Sequence, residues 1–306
     1  YNPDVDDFIS YTHNTNNKDG ISSNRILSFF EDEFGILWIG TVQGGINKLD
    51  KNQKPFRNYT YTPNDSQSIS SNLITDLTED KKGKIWLAFF RSTICQTTES
   101  LNFSNSKNIR FKKTETQLKT LKNKAVFNLS EDEKGYQWIG TSSEIYMYDK
   151  LNDKLHLVQI VNDDKIIDIT QNWKINQIDA NHILIGGSKA CLLKNPWKTV
   201  LSNKPVASNN SILDLGFVND FIKGDNNTYW FATRTGLYRV LIENDKLKVV
   251  SHLSTIPNED YLKLSHNNIF SIHIAKDKKH IWLGSFGGGL MKITLDSSGN
   301  PEKIKS

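Results

Sequence analysis

Residues 31–50 read EDEFGILWIGTVQGGINKLD, and residues 131–150 read EDEKGYQWIGTSSEIYMYDK. Both stretches contain an acidic pair, a Gly, a Trp followed by an aliphatic and a small residue, and then an apolar run. Such a phrase is either a catalytic signature or a structural unit that the chain repeats. The number of further copies and their spacing distinguish these two explanations.

The central part of this phrase recurs at nearly regular intervals along the chain. Successive copies are 48, 52, 46, 46 and 52 residues apart. The fourth copy has lost its Trp and reads Leu184-Ile185-Gly186-Gly187. Six repeat units therefore tile the chain, and their anchors are Trp38, Trp86, Trp138, Leu184, Trp230 and Trp282.

Each unit reads as four short strands. A polar opening such as Ser22-Ser23-Asn24 precedes an apolar strand, an acidic turn such as residues 31–35 leads to the Trp strand, and two further strands follow. An Asp that starts the turn and a Gly in its left-handed position are typical of a tight hairpin. No window shows sustained helical periodicity. The sequence therefore predicts an all-β fold, a β-propeller of four-stranded antiparallel blades with six repeat units visible.

The predicted organisation is a single propeller domain over residues 1–306. Residues 8–12 lie 48 positions before residues 56–60, so they predict an outer strand without a blade of its own. The last unit shows three clear strands, and residues 8–12 laid on it would close the ring and remove two exposed sheet edges. The prediction leaves open a seventh blade that residues outside this chain would supply. The predicted units span about 21–68, 69–120, 121–165, 166–208, 209–264 and 265–306.

Most of the repeated phrase is predicted to be architectural. An aromatic side chain in the second strand fills the wedge between blades, and the small residue after it relieves crowding. We expect all five anchor tryptophans in the core and the acids of the turns in solvent. The asparagines of the openings are expected to cap backbone groups. Cys95 and Cys191 are expected to be separate buried thiols.

The composition excludes several classes of protein. Hydrophobic residues make up 37% of the chain and charged residues 24%, as in a soluble globular protein. The formal net charge of +4 is too small for a dedicated nucleic-acid binder. No apolar run reaches the roughly 18 residues of a membrane helix. The chain begins at Tyr1 without a leader, which indicates a processed or excised part of a longer protein.

The S-x-N-x-I opening, the E-D-x-x-G turn and the W-I-G-T-x-x-G-G-[IL] phrase together resemble the two-component regulator propeller repeat. Residues 21–50 and 265–295 match it best, whereas the unit around Leu184 departs furthest. Propellers of this family usually have seven blades. They form the periplasmic sensor region of hybrid two-component histidine kinases in Bacteroidetes.

That resemblance implies a place in a larger receptor. A second propeller and an immunoglobulin-like domain would belong to the same chain, and the full-length receptor would be a homodimer. Histidine kinase activity would lie elsewhere in the protein, and this segment would reach the membrane only through parts outside it. The implied location is the periplasm.

No catalytic residue, cofactor or metal site is predicted. Glycoside hydrolysis by the usual route needs two carboxylates that face one pocket, whereas the acids here recur in the turns of several units. The seven histidines are not at ligand spacing from carboxylates or Cys. Gly287-Gly288-Gly289 is not followed by Lys-Ser/Thr, so it is not a phosphate loop.

Ligand binding is predicted on the face that carries the unit openings and the turns between second and third strands. Arg and Asn suit acidic or hydroxyl-rich sugars, and aromatic rings stack on sugar rings. The segment is thus read as a sensor that binds a glycan fragment or docks neighbouring domains. A structural or dimerisation propeller is the first alternative, and a propeller glycosidase or polysaccharide lyase is the second. The candidate ligand-binding residues are Arg25, Gln43, Phe90, Arg91, Lys124, Glu144, Lys189, Arg234 and Phe286.

Overall fold

The computed structural model describes residues 10–15, 20–50, 53–100, 109–114, 116–208, 211–257 and 262–306. The chain is all-β, as predicted, and divides into two compact units, residues 1–131 and 132–306. The single domain over residues 1–306 stays a prediction. In the described ranges, none of the helices has the length and hydrophobicity of a membrane span.

The first unit contains two four-stranded antiparallel sheets, each built as a meander in chain order. They correspond to the first two predicted repeat units. A further strand, β9 (Val126–Glu131), ends the unit, and a short 3₁₀ helix, Gln117–Leu121, precedes it. The sheets consist of β1 (Ile26–Glu31), β2 (Leu37–Thr41), β3 (Gly45–Asp50) and β4 (Gln53–Tyr59), then β5 (Ile74–Glu79), β6 (Ile85–Phe89), β7 (Cys95–Thr97) and β8 (Phe111–Lys113).

The second unit begins with an antiparallel meander and continues with three four-stranded sheets. The meander consists of β10 (Gln137–Thr141), β11 (Ile145–Asp149) and β12 (Lys154–Leu157). The sheets are β15 (Lys174–Asp179), β16 (His182–Gly186), β17 (Ala190–Lys194) and β19 (Ile212–Leu213); β20 (Val218–Lys223), β21 (Thr228–Thr233), β22 (Gly236–Glu243) and β23 (Lys246–Leu253); and β24 (Ile269–Ile274), β25 (His280–Ser285), β26 (Gly289–Leu295) and β27 (Pro301–Lys305).

Two features of the second unit were not predicted. A helix, α1 (Pro196–Leu201), follows β17. A small sheet of β13 (Ile160–Asn162), β14 (Lys165–Ile166) and β18 (Val206–Ala207) includes a parallel pair. Because these elements are inserted, β19 lies at residues 212–213, beyond the predicted end of the fourth unit at residue 208.

The predicted outer strand over residues 8–12 is not seen in its described part. Residues 10–12 lie in no strand, while Phe8 and Ile9 lie outside the described residues. The outer position of the last sheet is taken by β27, which pairs with β26. The polar tail of the chain therefore supplies the fourth strand that the sequence reading assigned to the N-terminal residues.

In the first three repeats the Asp of the acidic turn is buried rather than solvated, which corrects the sequence prediction for these residues. Asp32, Asp80 and Asp132 each accept a hydrogen bond from the indole Nε1 of the Trp six residues later, at 3.1, 2.9 and 2.8 Å. Each carboxylate also accepts two backbone N–H groups of its own turn. The buried Asp therefore holds the indole of the anchor Trp and the backbone of its own turn by hydrogen bonds, which is an architectural role.

The small residue after the anchor Trp allows close approach to the next sheet. A Cβ added at Gly140 would lie 2.4 Å from the Asn172 carbonyl oxygen, and one at Gly186 would lie 2.6 Å from a methyl carbon of Val218. Such distances force backbone or side-chain shifts in a close-packed interior. The predicted relief of crowding at this position is confirmed.

Trp38, Trp138 and Trp230 pack against the sheet that follows each of them in the chain. Trp38 packs with Ile74 and Leu87, and Trp230 packs with Ile269 and Leu283. Trp38, Trp86, Trp138 and Trp230 are buried. Trp282 is only half-buried, so its predicted place in the core is wrong.

Both cysteines are free and buried, as predicted. Burial raises the pKa of the Cys95 thiol and of the Cys191 thiol to about 12. Their thiolate fraction at neutral pH is therefore negligible, and neither thiol is a reactive nucleophile.

Burial, together with the neighbouring acidic turns, raises the pKa of Glu79. Burial is the main cause, and the charges of Asp32, Glu33 and Asp80 add to it. Because the pKa is raised, the folded protein binds the Glu79 proton more tightly than the unfolded chain does, and the protonated carboxyl stabilises the fold below the unfolded-state pKa. This contribution is lost as the pH rises through the folded-state pKa. We therefore expect Glu79→Gln to stabilise the protein at pH 7, by less than about 1 kcal/mol because solvent reaches part of this half-buried side chain and screens its neighbours.

Urea unfolding at several pH values checks this expectation. The gain should disappear near pH 3, where the wild-type carboxyl is protonated. The exposed Glu302 provides a control variant, Glu302→Gln. A gain at Glu79 that is independent of pH would contradict the electrostatic explanation.

Candidate functional site

In four repeats, the turn after the Trp strand is closed by the hydroxyl group that ends that strand. Thr41 Oγ1 donates to the Gly45 carbonyl oxygen, Thr141 Oγ1 to that of Glu144, and Thr233 Oγ1 to that of Gly236. Ser285 does the same with Gly289. The turns between second and third strands are therefore fixed by hydrogen bonds within the repeat.

The asparagines of the openings cap backbone groups, as predicted. Asn24, Asn72 and Asn267 each accept, through Oδ1, a backbone N–H from 11 or 12 residues earlier, at 2.6 to 2.7 Å. These side chains tie the end of one segment to the start of the next. Asn209 and Asn210, which open the fifth predicted unit, lie outside the described residues.

In the first unit, Arg25 and Gln43 lie at the same end of the first sheet. Both are exposed, and the Arg25 carbonyl oxygen accepts the backbone N–H of Val42, which precedes Gln43, at 2.9 Å. Gln43 has a left-handed backbone conformation, with φ of 62°. The structure thus brings the turn of Gln43 next to the opening residue Arg25.

Phe90, Arg91 and Lys124 form a second group in the first unit. The backbone N–H of Arg91 donates to the Lys124 carbonyl oxygen at 3.2 Å. The Arg91 guanidinium lies 5.3 Å from the centre of the Phe90 ring, and that ring lies 6.4 Å from the ring of Phe127. Three of the predicted residues therefore meet, and Phe127 joins them.

In the second unit, residues 170–173 connect three turns and are called the bridging segment. Thr170 accepts the N–H of Ser188 at 2.7 Å, and the N–H of Gln171 donates to the Ser142 carbonyl oxygen at 2.9 Å. The Gln171 side chain accepts a hydrogen bond from Arg234 Nη2 at 2.8 Å. The bridging segment thus contacts a turn in each of three consecutive sheets, at Ser142, Ser188 and Arg234.

Glu144 and Lys189 lie on two of these turns. The Glu144 carboxylate accepts a hydrogen bond from the Ser143 hydroxyl at 3.0 Å, and its carbonyl oxygen accepts one from the Asn172 amide at 3.3 Å. The Lys189 carbonyl oxygen accepts the N–H of Gly187 at 3.1 Å. Both turns are therefore fixed next to the bridging segment.

Phe286 joins the bridging segment through an aromatic cluster. The ring of Trp173 lies 5.3 Å from that of Phe270 in an edge-to-face arrangement, and the Phe270 ring lies 6.3 Å from that of Phe286. Phe286 is 64% exposed. The cluster therefore presents one open aromatic face beside the polar turns. We call residues 142–144, 170–173, 188–189, 217, 234, 270 and 286 the rim of the second unit.

A cavity of about 340 Å³ also lies in the second unit, between β15 and β20. Two of its charged side chains, Lys174 and Asp220, already bind one another. Asp220 pairs with Lys174 at 3.2 Å and accepts the backbone N–H of Ile272 at 3.1 Å. We attribute to this pair a role in joining neighbouring sheets. Within the described ranges, no three His, Cys, Asp or Glu side chains meet in a way that could hold a metal ion.

Comparison with known families identifies the repeat. Residues 20–43 match the family model described as a two component regulator propeller. The match confirms the resemblance. No curated protein matches the chain significantly in sequence.

Solved structures share the β-propeller fold. The extracellular domain described as that of the hybrid two component system BT4673 of B. thetaiotaomicron is 16% identical, with a TM-score of 0.55, over 90% of this chain and 42% of that one. PorZ of Porphyromonas gingivalis, a component of the type-IX secretion system, is 15% identical, with a TM-score of 0.61, over 92% of this chain and 45% of that one. The chain thus spans less than half the length of either protein.

Virginiamycin B lyase from Staphylococcus aureus also has this fold. It is 13% identical, with a TM-score of 0.56, over 91% of this chain and 83% of the lyase. At such identities the likeness shows the fold alone. The same fold therefore occurs both in an extracellular domain of a two component system and in an enzyme.

The propeller repeat explains which site residues the sequence could predict. The turns of Glu144, Lys189, Arg234 and Phe286 follow the anchor of each repeat and were predicted. Gln171, Trp173, Phe217 and Phe270 were missed, because no position of the repeat marks them. Trp173 could have been found from the sequence, because it is a tryptophan that does not stand at an anchor position of the repeat.

Proposed function

We propose that this chain is a non-catalytic sensory propeller of an extracytoplasmic hybrid two-component receptor, located in the periplasm, and that the rim of its second unit binds an oligosaccharide. The observation that carries the receptor role is the two component regulator propeller match at residues 20–43. The extracellular location of the BT4673 domain supports the proposed compartment.

The geometry of the rim supports ligand binding. Four candidate residues, Glu144, Lys189, Arg234 and Phe286, lie around the bridging segment in the same unit. Arg234 and the exposed ring of Phe286 combine charged donors with an apolar face, which is the combination that sugars require. A ligand that favours one arrangement of the receptor over another would transmit the signal.

A non-catalytic role agrees with the state of the repeated acids. Asp32, Asp80 and Asp132 are buried and bind indole and backbone N–H groups. Such carboxylates do not face a substrate pocket in pairs, as glycoside hydrolysis needs. The kinase activity, the second propeller, the immunoglobulin-like domain and the homodimer belong to the same proposal.

Isothermal titration of the chain against neutral and acidic oligosaccharides tests this proposal. We expect binding to at least one saccharide, and we expect Phe286→Ala to weaken it about tenfold or more, as loss of a stacked ring does. Phe29, 58% exposed in the first unit, provides the matched control Phe29→Ala. If the folded protein gave no binding heat with any saccharide, a structural or dimerisation propeller would be favoured instead.

A further inference from the structure

The guanidinium of Arg234 is held by two residues outside its own turn. Nη2 donates to Gln171 Oε1 at 2.8 Å, and Cζ lies 4.3 Å from the centre of the Phe217 ring. The backbone of the turn is also fixed, because the Arg234 N–H donates to the Phe217 carbonyl oxygen and Thr235 Oγ1 donates to that of Leu215. A side chain positioned in this way loses little entropy when it binds a ligand.

The charge of Arg234 is not neutralised by these contacts. Gln171 is a neutral acceptor, and the ring of Phe217 contacts the flat face of the cation. In the part of the chain that the structure describes, Arg234 forms no ion pair, and its side chain is exposed. A guanidinium presents five N–H donors in one plane, so its remaining edge can donate two parallel hydrogen bonds to a planar oxyanion.

Both residues that hold Arg234 have a left-handed backbone. φ is 51° at Gln171 and 50° at Phe217. For residues other than Gly this conformation is uncommon, and for a bulky residue such as Phe it is a strained outlier. Such conformations persist where the surroundings impose them, and they cluster at binding sites.

Two other arginines that lie over aromatic rings, Arg91 and Arg239, lack this arrangement. Arg91 lies 5.3 Å from the ring of its own neighbour, Phe90, so this contact comes from within its own turn. Arg239 is buried, donates to Asn300 and lies over Trp230. Arg234 alone among these three combines an exposed cation with a neutral acceptor and a ring from outside its own turn.

We infer that Arg234 binds the carboxylate of an acidic saccharide, while Gln171 and Phe217 act as positioning residues. The inference rests on the proposed function of the rim and names its ligand class. The bridging segment carries both Gln171 and Trp173, and Trp173 leads through Phe270 to the exposed ring of Phe286. A uronic acid has both matching groups, a carboxylate for Arg234 and an apolar ring face for Phe286.

Calorimetry with two probes tests this inference on the full chain. The probes are a short galacturonate oligomer and a galactose oligomer of equal length, at low ionic strength. We expect the galacturonate oligomer to bind about tenfold or more tightly than its neutral counterpart, because a charge-assisted bidentate pair contributes that much. Arg234→Gln should abolish this preference and leave the weak binding of the galactose oligomer unchanged.

Two further variants separate positioning from general damage. Gln171→Glu supplies an internal carboxylate to Arg234, so it should abolish the preference while the Arg is still present. Lys303→Gln removes one positive charge from the exposed strand β27 and should keep the preference. Thermal unfolding of each variant verifies that the fold is intact.

The outcomes distinguish this inference from the proposed function. Equal binding of the two oligomers, or a preference that survives in Arg234→Gln, would overturn the carboxylate site and leave the rim as a saccharide site. Binding of neither oligomer nor any other saccharide by the folded protein would overturn both.

Discussion

Replacing Asp132 with Ala is expected to lower the free energy of unfolding by about 3 to 5 kcal/mol, because several buried donors lose their acceptor at once. Asp132 Oδ2 accepts hydrogen bonds from Trp138 Nε1 at 2.8 Å and from Trp197 Nε1 at 2.6 Å. Oδ1 accepts the backbone N–H groups of Lys134 and Tyr136, each at 2.9 Å. Each buried donor left unsatisfied costs about 1 to 3 kcal/mol.

The same position in the first repeat provides a matched comparison for Asp132. Asp32 accepts the same two backbone groups of its turn but binds one indole, Trp38. Asp32→Ala should therefore destabilise the protein less than Asp132→Ala does. Trp197→Phe, which removes the second indole donor but keeps a ring on α1, should cost less than Asp132→Ala. Urea unfolding followed by tryptophan fluorescence measures all three variants. Equal losses for Asp32→Ala and Asp132→Ala would contradict the role of the second indole.

The sequence predicted the acidic turn but not the state of its carboxylate. Asp at a hairpin turn normally faces solvent, so the charge was assigned to the surface. The distance between Asp and Trp contained the missing information, since it is six residues in Asp32–Trp38, Asp80–Trp86 and Asp132–Trp138. A constant offset between a carboxylate and a large aromatic donor indicates a bond between them. An acidic turn with a solvated Asp and one with a buried Asp–Trp hydrogen bond have the same sequence signature, and only the structure distinguishes them.

The sequence also predicted only part of the rim. The turns of Glu144, Lys189, Arg234 and Phe286 were predicted because they follow a repeated anchor. Their convergence depends on residues 170–173, which replace the usual opening in the least regular repeat. Repeat symmetry identifies what the copies share, whereas a specific site uses what one copy does differently. The left-handed conformations of Gln171 and Phe217 could not be predicted either, because long-range contacts impose them.

The fourth strand of the last sheet was mispredicted for a related reason. The tail PEKIK is polar, and an outer strand with one solvent face has little hydrophobic pattern to recognise. Its exposed positions alternate weakly along Pro301–Lys305. The N-terminal segment looked like the better strand because it copied residues 56–60. Sequence identity between copies therefore misled the assignment where local pattern was weak.

Leu237→Ala and Leu290→Ala are expected to differ widely in cost, although the two residues occupy the same register position. Leu237 pairs with Ala232, and Leu290 pairs with Gly284, in each case the small residue after the anchor Trp. Leu237 is 0% exposed and packs with residues of the following sheet, such as Ile269 and Leu283. Leu290 is 45% exposed.

A buried Leu replaced by Ala costs about 2 to 5 kcal/mol, from lost transfer free energy and from the cavity left behind. We therefore expect Leu237→Ala to fall in this range. Leu290→Ala should cost less than about 1 kcal/mol, because half of its side chain already contacts solvent and no cavity forms. Denaturant unfolding at several protein concentrations measures both. A large loss for Leu290→Ala that grows with protein concentration would show that another surface covers the last sheet in solution, and that Trp282 and Leu290 are core residues of an assembly.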